Sequence, residues 1–450
     1  MKAILFKFYM GQQGHMKKNK LLILKSNKFN IIKGFIMRNY SIFFKIIGYF
    51  FFTSVLTAQY SSQVYKNESY LDNQKPIAID ARPFLELADK VNGIDVRQIW
   101  EETKSLKKSA KSSWQFSIGT PYKWWALNSN PNSSDYNKFY QVNSTCRAIG
   151  EKCYIFVEDN FWGNKVTQEA VDAIKNAFEK TTPANPNKGI YDNDVEAFGE
   201  PPDVDNDPKV IILILDIQDI YSSGSSSFFI AGYFHSVNES MTYSYSNRAE
   251  IYYLDCNPLN LLTNNSIGLQ TLAHEFQHMI NFNYNKNADT FNNESMSMLA
   301  EVINGYPLNN QNYYNNETNI YLFNWRPSDD PNVLNDYSRA ARFSLYYYEQ
   351  FGNRYLRGNV QSPLQGVNRI NAGISNAGVI DRNFSSILED WFIANYINNI
   401  SLNNGKWGYQ NSRATKVNSK IHLNPNVNEA TDLIYKYGAI YITYKNSKNL

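Results

Sequence analysis

Acidic residues are absent from the first 58 positions, which hold ten of the chain's 44 lysines and arginines. The net charge of +3 is therefore a property of the N-terminus, and the other residues carry seven more acidic than basic side chains. This balance gives no reason to expect binding to nucleic acid or to an anionic membrane by the mature protein. The chain has 450 residues, 43% of them hydrophobic, so we expect a folded protein with two or three modules.

The N-terminal region also lacks an apolar run long enough to span a membrane. Its longest apolar run is better explained as part of a signal peptide. Met37 is followed by a short basic stretch, the apolar run Ile46 to Leu56, and Thr57-Ala58-Gln59. The run is shorter than the roughly 20 residues of a membrane-spanning helix, so it predicts a cleaved signal peptide rather than an anchor. We therefore expect a secreted protein, extracellular or on the cell surface, with no membrane span in its mature form. Residues 1–58 are then an upstream extension plus signal peptide, with Met37 as the start.

Cysteine is scarce, with three residues in the chain. No cysteine follows the apolar run, which argues against a lipoprotein. Cys146 and Cys153 are close in sequence and can bridge a hairpin, as is common in an oxidising compartment. Cys256 has no histidine near it in sequence and is expected to be a buried free thiol.

Histidine is also scarce, and two of the chain's five histidines lie in one short motif. His274 and His278 flank Glu275 in TLAHEFQHMIN, a stretch expected to be helical. Residues four apart share one helix face, so the two imidazoles can bind one metal ion, with Glu275 beside its bound water. This arrangement is typical of zinc-assisted hydrolysis, and the alternative is a pair of histidines on an ordinary helix.

A catalytic zinc usually has a third protein ligand. A third histidine six residues beyond the first pair is excluded, because Asn281 and Tyr284 stand where its glycine and histidine would be. A glutamate from a second helix is the other common source, and FNNESMSMLAE offers Glu294 and, two turns later on the same face, Glu301. From the spacing alone, either glutamate remains open.

The strand and helix patterns predict an α+β fold. Lys209–Ile217 has the continuous apolar character of a central strand, and Ala249–Asp255 predicts the next. We expect a two-lobed zinc peptidase, with a mixed sheet and the HExxH helix in one lobe and helices in the second, flanked by small β-rich segments. The expected divisions after residue 58 are a propeptide or adaptor (59–110), a β-rich unit (111–160), the peptidase domain (161–400) and a C-terminal β segment (401–450).

Three aspartates alternate just before the first predicted strand, as Asp203, Asp205 and Asp207 in PPDVDNDPK. Such spacing can bind calcium, but the glycine and terminal glutamate of an EF-hand are missing. A solvated turn is the favoured interpretation, and Ca²⁺ is kept as a second cofactor beside Zn²⁺.

The chain resembles the hyicolysin family of secreted bacterial zinc metallopeptidases. The resemblance is carried by HEFQHMIN, by Asn293-Glu294, Ser297 and Ala300-Glu301 in register after it, and by flanking segments across roughly residues 114 to 400. Ser295 stands where the family usually has glycine, and Phe291 where tryptophan is common. The resemblance implies that His274, His278 and Glu294 bind zinc, with Glu275 as general base and then general acid. Glu301 either orients a ligand imidazole or is a solvated helix charge.

A secreted zinc endopeptidase acting on protein or peptide substrates is therefore the expected function. Tyr337, at the start of a later helix, or His235 is the candidate donor to the oxyanion. Two alternatives are kept: a surface adhesion protein on an inactive peptidase scaffold, and an aminopeptidase, for which no dedicated acidic motif is visible.

Overall fold

The computed structural model describes ten stretches and one isolated position: residues 2–8, 18–24, 76–79, 81–106, 114–221, 227–261, 265–328, 330, 332–410, 413–422 and 433–444. The predicted signal peptide within residues 37–58 lies outside them. Among the described residues, no helix combines the length and apolar character needed to cross a membrane.

The described residues form twelve strands and ten α-helices. The strands are β1 (Lys2–Phe8), β2 (Lys18–Leu24), β3 (Ile77–Ile79), β4 (Pro121–Leu127), β5 (Phe139–Ile149), β6 (Cys153–Glu158), β7 (Val210–Leu215), β8 (Phe228–Ile230), β9 (Gly232–Phe234), β10 (Ile251–Asp255), β11 (Lys420–His422) and β12 (Ala439–Tyr444). The helices are α1 (Arg82–Asn92), α2 (Val96–Ser105), α3 (Gln168–Glu179), α4 (Ile190–Phe198), α5 (Asn265–Tyr284), α6 (Thr290–Ile303), α7 (Gln311–Asn316), α8 (Val333–Val360), α9 (Gly366–Asn376) and α10 (Phe384–Ile397).

A six-stranded mixed sheet, in the order β4-β5-β6-β7-β10-β9, supports the helices. All six residues of β7 are buried, and β7 lies between β6 and β10, both parallel to it. The prediction of a central strand from its apolar run is therefore confirmed. The strands of residues 121–158 belong to this same sheet, so the expected boundary near residue 160 does not separate two sheets. The mixed sheet and its helices agree with the α+β prediction, while the two-lobed division stays a prediction.

Helix α5 packs on the sheet through one apolar stripe. Leu272, Phe276 and Met279 are fully buried in the core that α5 shares with α3, α4 and the sheet. Helix α6 then packs against α5 on one side and α8 on the other. One face of α5 is thus fixed by burial, and the face that α6 approaches carries the polar motif.

Two glycines shape the helices behind the site. Gly305 follows α6 with φ +92°, and a Cβ there would lie 2.4 Å from the backbone nitrogen of Ala184. Gly352, with φ +65°, interrupts α8 at a point where a Cβ would meet no atom from outside the helix within 4 Å. Both positions need the left-handed backbone that glycine adopts without strain, and Gly305 also needs the missing side chain.

The C-terminal strands form a separate four-stranded sheet in the order β11-β12-β1-β2. Strand β12 pairs antiparallel with β1, over the register Ala3 opposite Tyr444 to Phe8 opposite Ala439. The C-terminal β segment is therefore paired with backbone from the predicted upstream extension.

The three cysteines are free and buried. Across the β5–β6 hairpin Cys146 lies opposite Phe156, and Cys153 pairs with Val210 on the next strand. The two side chains belong to cores on opposite faces of the sheet, so the suggested Cys146–Cys153 bridge is wrong. The expectation that Cys256 is a buried thiol is confirmed.

Candidate active site

The two histidines of the motif lie one turn apart on the face of α5 that points away from the sheet. Their ring centroids are 4.8 Å apart and the ring planes meet at 76°. Because the apolar stripe fixes the rotation of α5, both rings are directed toward α6. The helical geometry expected from the spacing of His274 and His278 is therefore present.

Glu294 on α6 completes a cluster with these histidines. Its Oε2 lies 3.3 Å from Nε2 of His274, and its Oε1 lies 3.4 Å from Nε2 of His278. The candidate ligand atoms of His274, His278 and Glu294 all lie within 4.8 Å of one another. Helix α6 continues without a break through Ser295, whose hydroxyl donates to the carbonyl of Asn292. Serine in place of glycine therefore leaves Glu294 on the helix face that meets α5.

Each imidazole is oriented through its other nitrogen. Nδ1 of His274 lies 2.9 Å from Oε1 of Glu301, and Nδ1 of His278 lies 3.1 Å from Oδ1 of Asn293. Ser297 supports the second ring at 3.0 Å while donating its own proton to Gln277. Since Glu301 and Asn293 present acceptor oxygens, both rings donate from Nδ1, which leaves Nε2 of each ring facing the cluster as the atom that can bind a metal. Glu301 is 8% exposed, so it is not a solvated helix charge.

The donor set fits a zinc ion. Glu294 is fully buried, and its Oε2 has no hydrogen-bond partner among the described residues. Such burial of a carboxylate oxygen is energetically unfavourable. Two imidazole nitrogens and one carboxylate oxygen match the ligand types of catalytic zinc, which leaves a fourth position for water. A cation bound between Nε2 of His274, Nε2 of His278 and Oε2 of Glu294 would satisfy that oxygen.

Burial and the charges at the site favour the deprotonated forms of Glu294 and His278, which are the forms that bind a metal. Burial alone would raise the pKa of Glu294, but the Arg82 guanidinium and the two imidazoles lower it to about 2. Burial lowers the pKa of His278 to about 3 against the opposing effect of Glu294. Burial also disfavours a charged His274, yet the carboxylates of Glu294 and Glu301 raise its pKa well above its usual range. Metal binding would then release a proton from His274.

Glu275 is held beside the cluster by the edge of the sheet. It is 7% exposed, and its Oε2 accepts a hydrogen bond of 2.9 Å from the backbone N–H of Phe234 in β9. This contact fixes the orientation of the carboxylate next to the histidines. Gly232 permits the close approach, because a Cβ there would lie 3.3 Å from Cγ of Glu275 and still closer to Thr271.

Two cavities meet at Glu275. The first, of about 230 Å³, is lined by Glu275, His278 and His235. The second, of about 530 Å³, is lined by Glu275, His274 and Tyr337. Both candidate oxyanion donors therefore line space beside the site. His235 is 2.7 Å from Oδ1 of Asp89 on α1, whereas Tyr337 packs edge-on against Trp325.

Arg82 is a site residue that the sequence pattern did not reveal. It begins α1, in the segment expected to be a propeptide or adaptor, and its guanidinium forms an ion pair with Oε1 of Glu294. Its side chain is 15% exposed, so the contact lies below the protein surface. Arg82 could hardly have been identified from the sequence. It lies 212 residues from Glu294, and a single arginine at that distance belongs to no recognisable motif.

The rest of residues 76–106 covers the same cleft. Strand β3 pairs parallel with β8, and Pro76 to Ile79 line the larger cavity. Helix α1 lines the smaller cavity, where Leu85 is buried. Helix α2 is attached by Glu102, which accepts hydrogen bonds from Ser240 and from the backbone of Met241. The segment, called the cover below, thus forms part of the wall of both cavities beside the candidate ligands.

Comparison with known proteins gives one informative similarity. No protein-family model matches the chain. A stretch of 252 residues is 29% identical to the neutral metalloprotease ShpI of Staphylococcus hyicus, and this covers 50% of the chain and 54% of that protease. The chain thus spans about half the length of this curated relative. The similarity supports kinship with a metalloprotease family.

Proposed function

We propose that the protein is a zinc endopeptidase with His274, His278 and Glu294 as metal ligands. The observation that carries the proposal is the convergence of two imidazole nitrogens and a buried carboxylate, with Glu275 adjacent. The similarity to a metalloprotease supports the same reaction class. When bound, zinc supplies a Lewis acid that lowers the pKa of a coordinated water to about 7 and polarises the scissile carbonyl.

Glu275 is the proton carrier in this proposal. Its carboxylate accepts the proton of the attacking water and later delivers it to the leaving nitrogen, so the same group is base and then acid. The backbone N–H of Phe234 holds one carboxylate oxygen, which fixes the direction of the other. Proton transfer by such a positioned group contributes about 10²- to 10⁴-fold to rate.

Tyr337 is the proposed oxyanion donor. It lines the same cavity as His274 and Glu275, and it is 7% exposed. His235 lines the neighbouring cavity, but its Nε2 is engaged with Asp89 of the cover. His235 would become available only when the cover leaves, so it is kept as the second candidate.

The cover is proposed to be an inhibitory propeptide rather than an adaptor. It places Arg82 on the ligand carboxylate and fills the cleft with α1, which prevents a substrate from reaching Glu275. An adaptor would be expected on a surface away from the cleft. Export as a covered zymogen agrees with the predicted signal peptide, and secretion is part of the proposal.

One experiment separates the candidate functions. Bound zinc and casein cleavage are measured for the wild type and for Glu275→Gln, after removal of the cover through a protease recognition sequence inserted after Leu106. Zinc retained by both proteins, with cleavage lost in Glu275→Gln, supports the endopeptidase. A zinc-free, inactive wild type contradicts it and favours the adhesion scaffold. Release of N-terminal residues alone from peptides identifies an aminopeptidase.

A further inference from the structure

A second cluster of carboxyl groups lies outside the zinc site, where two loops enter the sheet. Strands β7 and β10 are parallel, so the segments that precede them arrive at the same edge. The first segment carries Asp203 and Asp205, and the second ends at Glu250, directly before β10. Carboxylate oxygens of these three residues all lie within 4.8 Å of one another.

A fourth carboxyl group points to a ligand. Glu239 is completely buried, and neither of its carboxylate oxygens has a hydrogen-bond partner among the described residues. Burial, followed by the nearby charges of Glu250 and Asp205, raises its pKa well above the usual range. Glu239 is therefore close enough to the cluster for its charge to interact with Glu250 and Asp205. Burying a carboxylate without hydrogen bonds destabilises the folded protein unless a cation or a proton neutralises the charge.

Glu250 repeats this pattern inside the cluster. It is 2% exposed, and its Oε1 accepts a hydrogen bond from the backbone N–H of Val204. Its Oε2 is buried without a hydrogen-bond partner among the described residues. The hydrogen bond from Val204 fixes the carboxylate between Asp203 and Asp205, and it leaves the second oxygen free to bind a cation.

Three of these four carboxyl groups form no ion pair within the described part of the chain. None of the ion pairs between described residues involves Asp205, Glu239 or Glu250. Lys104 of the cover is near enough to lower the pKa of Glu239, but its ammonium donates to Asn283. The indole of Trp114 and the backbone N–H of Asp207 donate to Asp205 and hold it in place.

We propose that Asp203, Asp205 and Glu250 bind one calcium ion, with the buried carboxyl group of Glu239 nearby. All three ligands contribute oxygen, the ligand atom of hard cations, and no nitrogen or sulfur ligand that would favour zinc is among them. Calcium binds oxygens at 2.3–2.6 Å, so ligands of one ion are at most about 5 Å apart, which agrees with the spacing of these three residues. The expected solvated turn describes these residues only in part, because Asp203 and Asp205 are half-buried, while Glu250 and the adjacent Asp207 are buried.

The proposed ion would stabilise the catalytic helix. The loop that carries Asp203 and Asp205 begins at Glu200, whose backbone N–H donates 2.9 Å to the hydroxyl of Tyr284. The side chain of Asn283 donates to the carbonyl of the same residue at 2.9 Å. Both partners lie at the end of α5, so the loop that carries two proposed calcium ligands is hydrogen-bonded to the helix that carries the HExxH motif.

Terbium luminescence tests the site directly. Tb³⁺ replaces calcium at oxygen sites, and Trp114 lies against a proposed ligand, so excitation of the indole should sensitise bound Tb³⁺. The measurement uses full-length protein carrying Glu275→Gln, so it does not depend on peptidase activity. We expect Tb³⁺ emission that calcium displaces, and a calcium-induced rise in Tm of roughly 5 °C at a hundred times Kd.

Matched variants make the outcome decisive. Asp205→Asn and Glu250→Gln should each lose the emission and the rise in Tm, while the exposed Glu151→Gln should keep both. Trp114→Phe should lose most of the emission but retain the rise in Tm. Unchanged Tm with calcium, together with a stabilising effect of Glu239→Gln in chelator, would overturn the proposal, because the carboxyl groups would then be neutralised by protons.

Discussion

Arg82 and Glu294 form an ion pair that joins the cover to the proposed zinc ligand. The guanidinium engages Oε1, while Oε2 of the same carboxylate faces the imidazole of His274 at 3.3 Å. Arg82 thus withdraws one oxygen of the ligand and places a positive charge beside the position of the metal. The ion pair couples release of the cover to the final geometry of the metal site.

Arg82→Ala should weaken the cover without unfolding the protein. A buried hydrogen bond to a charged group contributes about 1.5–3 kcal/mol, which corresponds to a tenfold or larger change in the population of the uncovered form. We expect casein cleavage by the uncut chain to rise by roughly tenfold or more. Zinc uptake by metal-stripped Glu275→Gln protein, followed with a chromophoric chelator, should also become faster.

Arg97→Ala provides the matched control, because this arginine lies on α2 and pairs with the exposed Glu101. It should leave both measurements within about twofold of the parent. Equal effects of the two variants would show that Arg82 has no special role at the metal site.

Glu301→Ala should weaken zinc binding by about 10- to 100-fold, because His274 loses the acceptor that fixes its ring. Glu301→Gln should recover most of the affinity, since an amide oxygen can accept the same proton. Zinc dissociation constants obtained by competition with a chelator measure both effects.

Glu294→Gln is the comparison that identifies the third ligand. We expect it to lose more zinc affinity than Glu301→Gln, because the neutral amide oxygen is a poorer ligand than a carboxylate. The reverse order of the two affinities would make Glu301 the ligand and Glu294 the partner of Arg82.

Asp194→Asn should stabilise the protein at neutral pH. Burial raises the pKa of Asp194 well above its ordinary value of 3.8, so the folded state keeps a proton that the unfolded state loses as pH rises. Wild-type stability therefore falls above about pH 4, by up to about 1.4 kcal/mol per pH unit from this group. Asparagine lacks this loss and still accepts from Asn304.

Urea unfolding of both proteins between pH 4 and pH 8 measures this difference. The stability advantage of Asp194→Asn should be near zero at pH 4 and grow toward pH 8. The exposed Asp135→Asn should show no such growth. A pH-independent difference for Asp194→Asn would mean that Asp194 is ionised in the folded protein.

Gly305→Ala should destabilise the protein more than Gly352→Ala. Both substitutions place a side chain at positive φ, at a cost of about 1–2 kcal/mol. Only Gly305 also brings the new Cβ against the backbone of Ala184 and Pro183, which raises the total to about 2–5 kcal/mol. Free energies of unfolding for the two variants test this order, and equal values would show that the contact relaxes freely.

The sequence was sufficient for the parts of the site that depend on local geometry. His274, Glu275 and His278 are separated by fixed helical intervals, so their placement on one helix could be predicted. The spacing left Glu294 and Glu301 open as the third ligand, and the family resemblance selected Glu294. The buried character of β7 was also visible, because six apolar residues in succession leave little choice of environment.

Contacts between distant segments could not be predicted in this way. Arg82 reaches Glu294 from an unrelated helix, and Glu250 joins Asp203 and Asp205 from another loop, without a repeating interval in either case. Cys146 and Cys153 show the opposite error, because closeness in sequence suggested a bond that the sheet prevents. Which face a strand residue occupies depends on register, and register is set by partners elsewhere in the chain.

The sequence separation between contacting residues also indicates the order in which the parts of the site come together during folding. The His274–Glu301 contact closes a loop of 27 residues, whereas the Arg82–Glu294 ion pair closes one of 212. The longer loop costs about 1.8 kcal/mol more in chain entropy when it forms. The paired helices that hold the metal can therefore form as a local unit, and the cover joins them late in folding. A cut behind the cover removes this covalent loop, so the cover is then held to the site by non-covalent contacts alone and dilution favours its release.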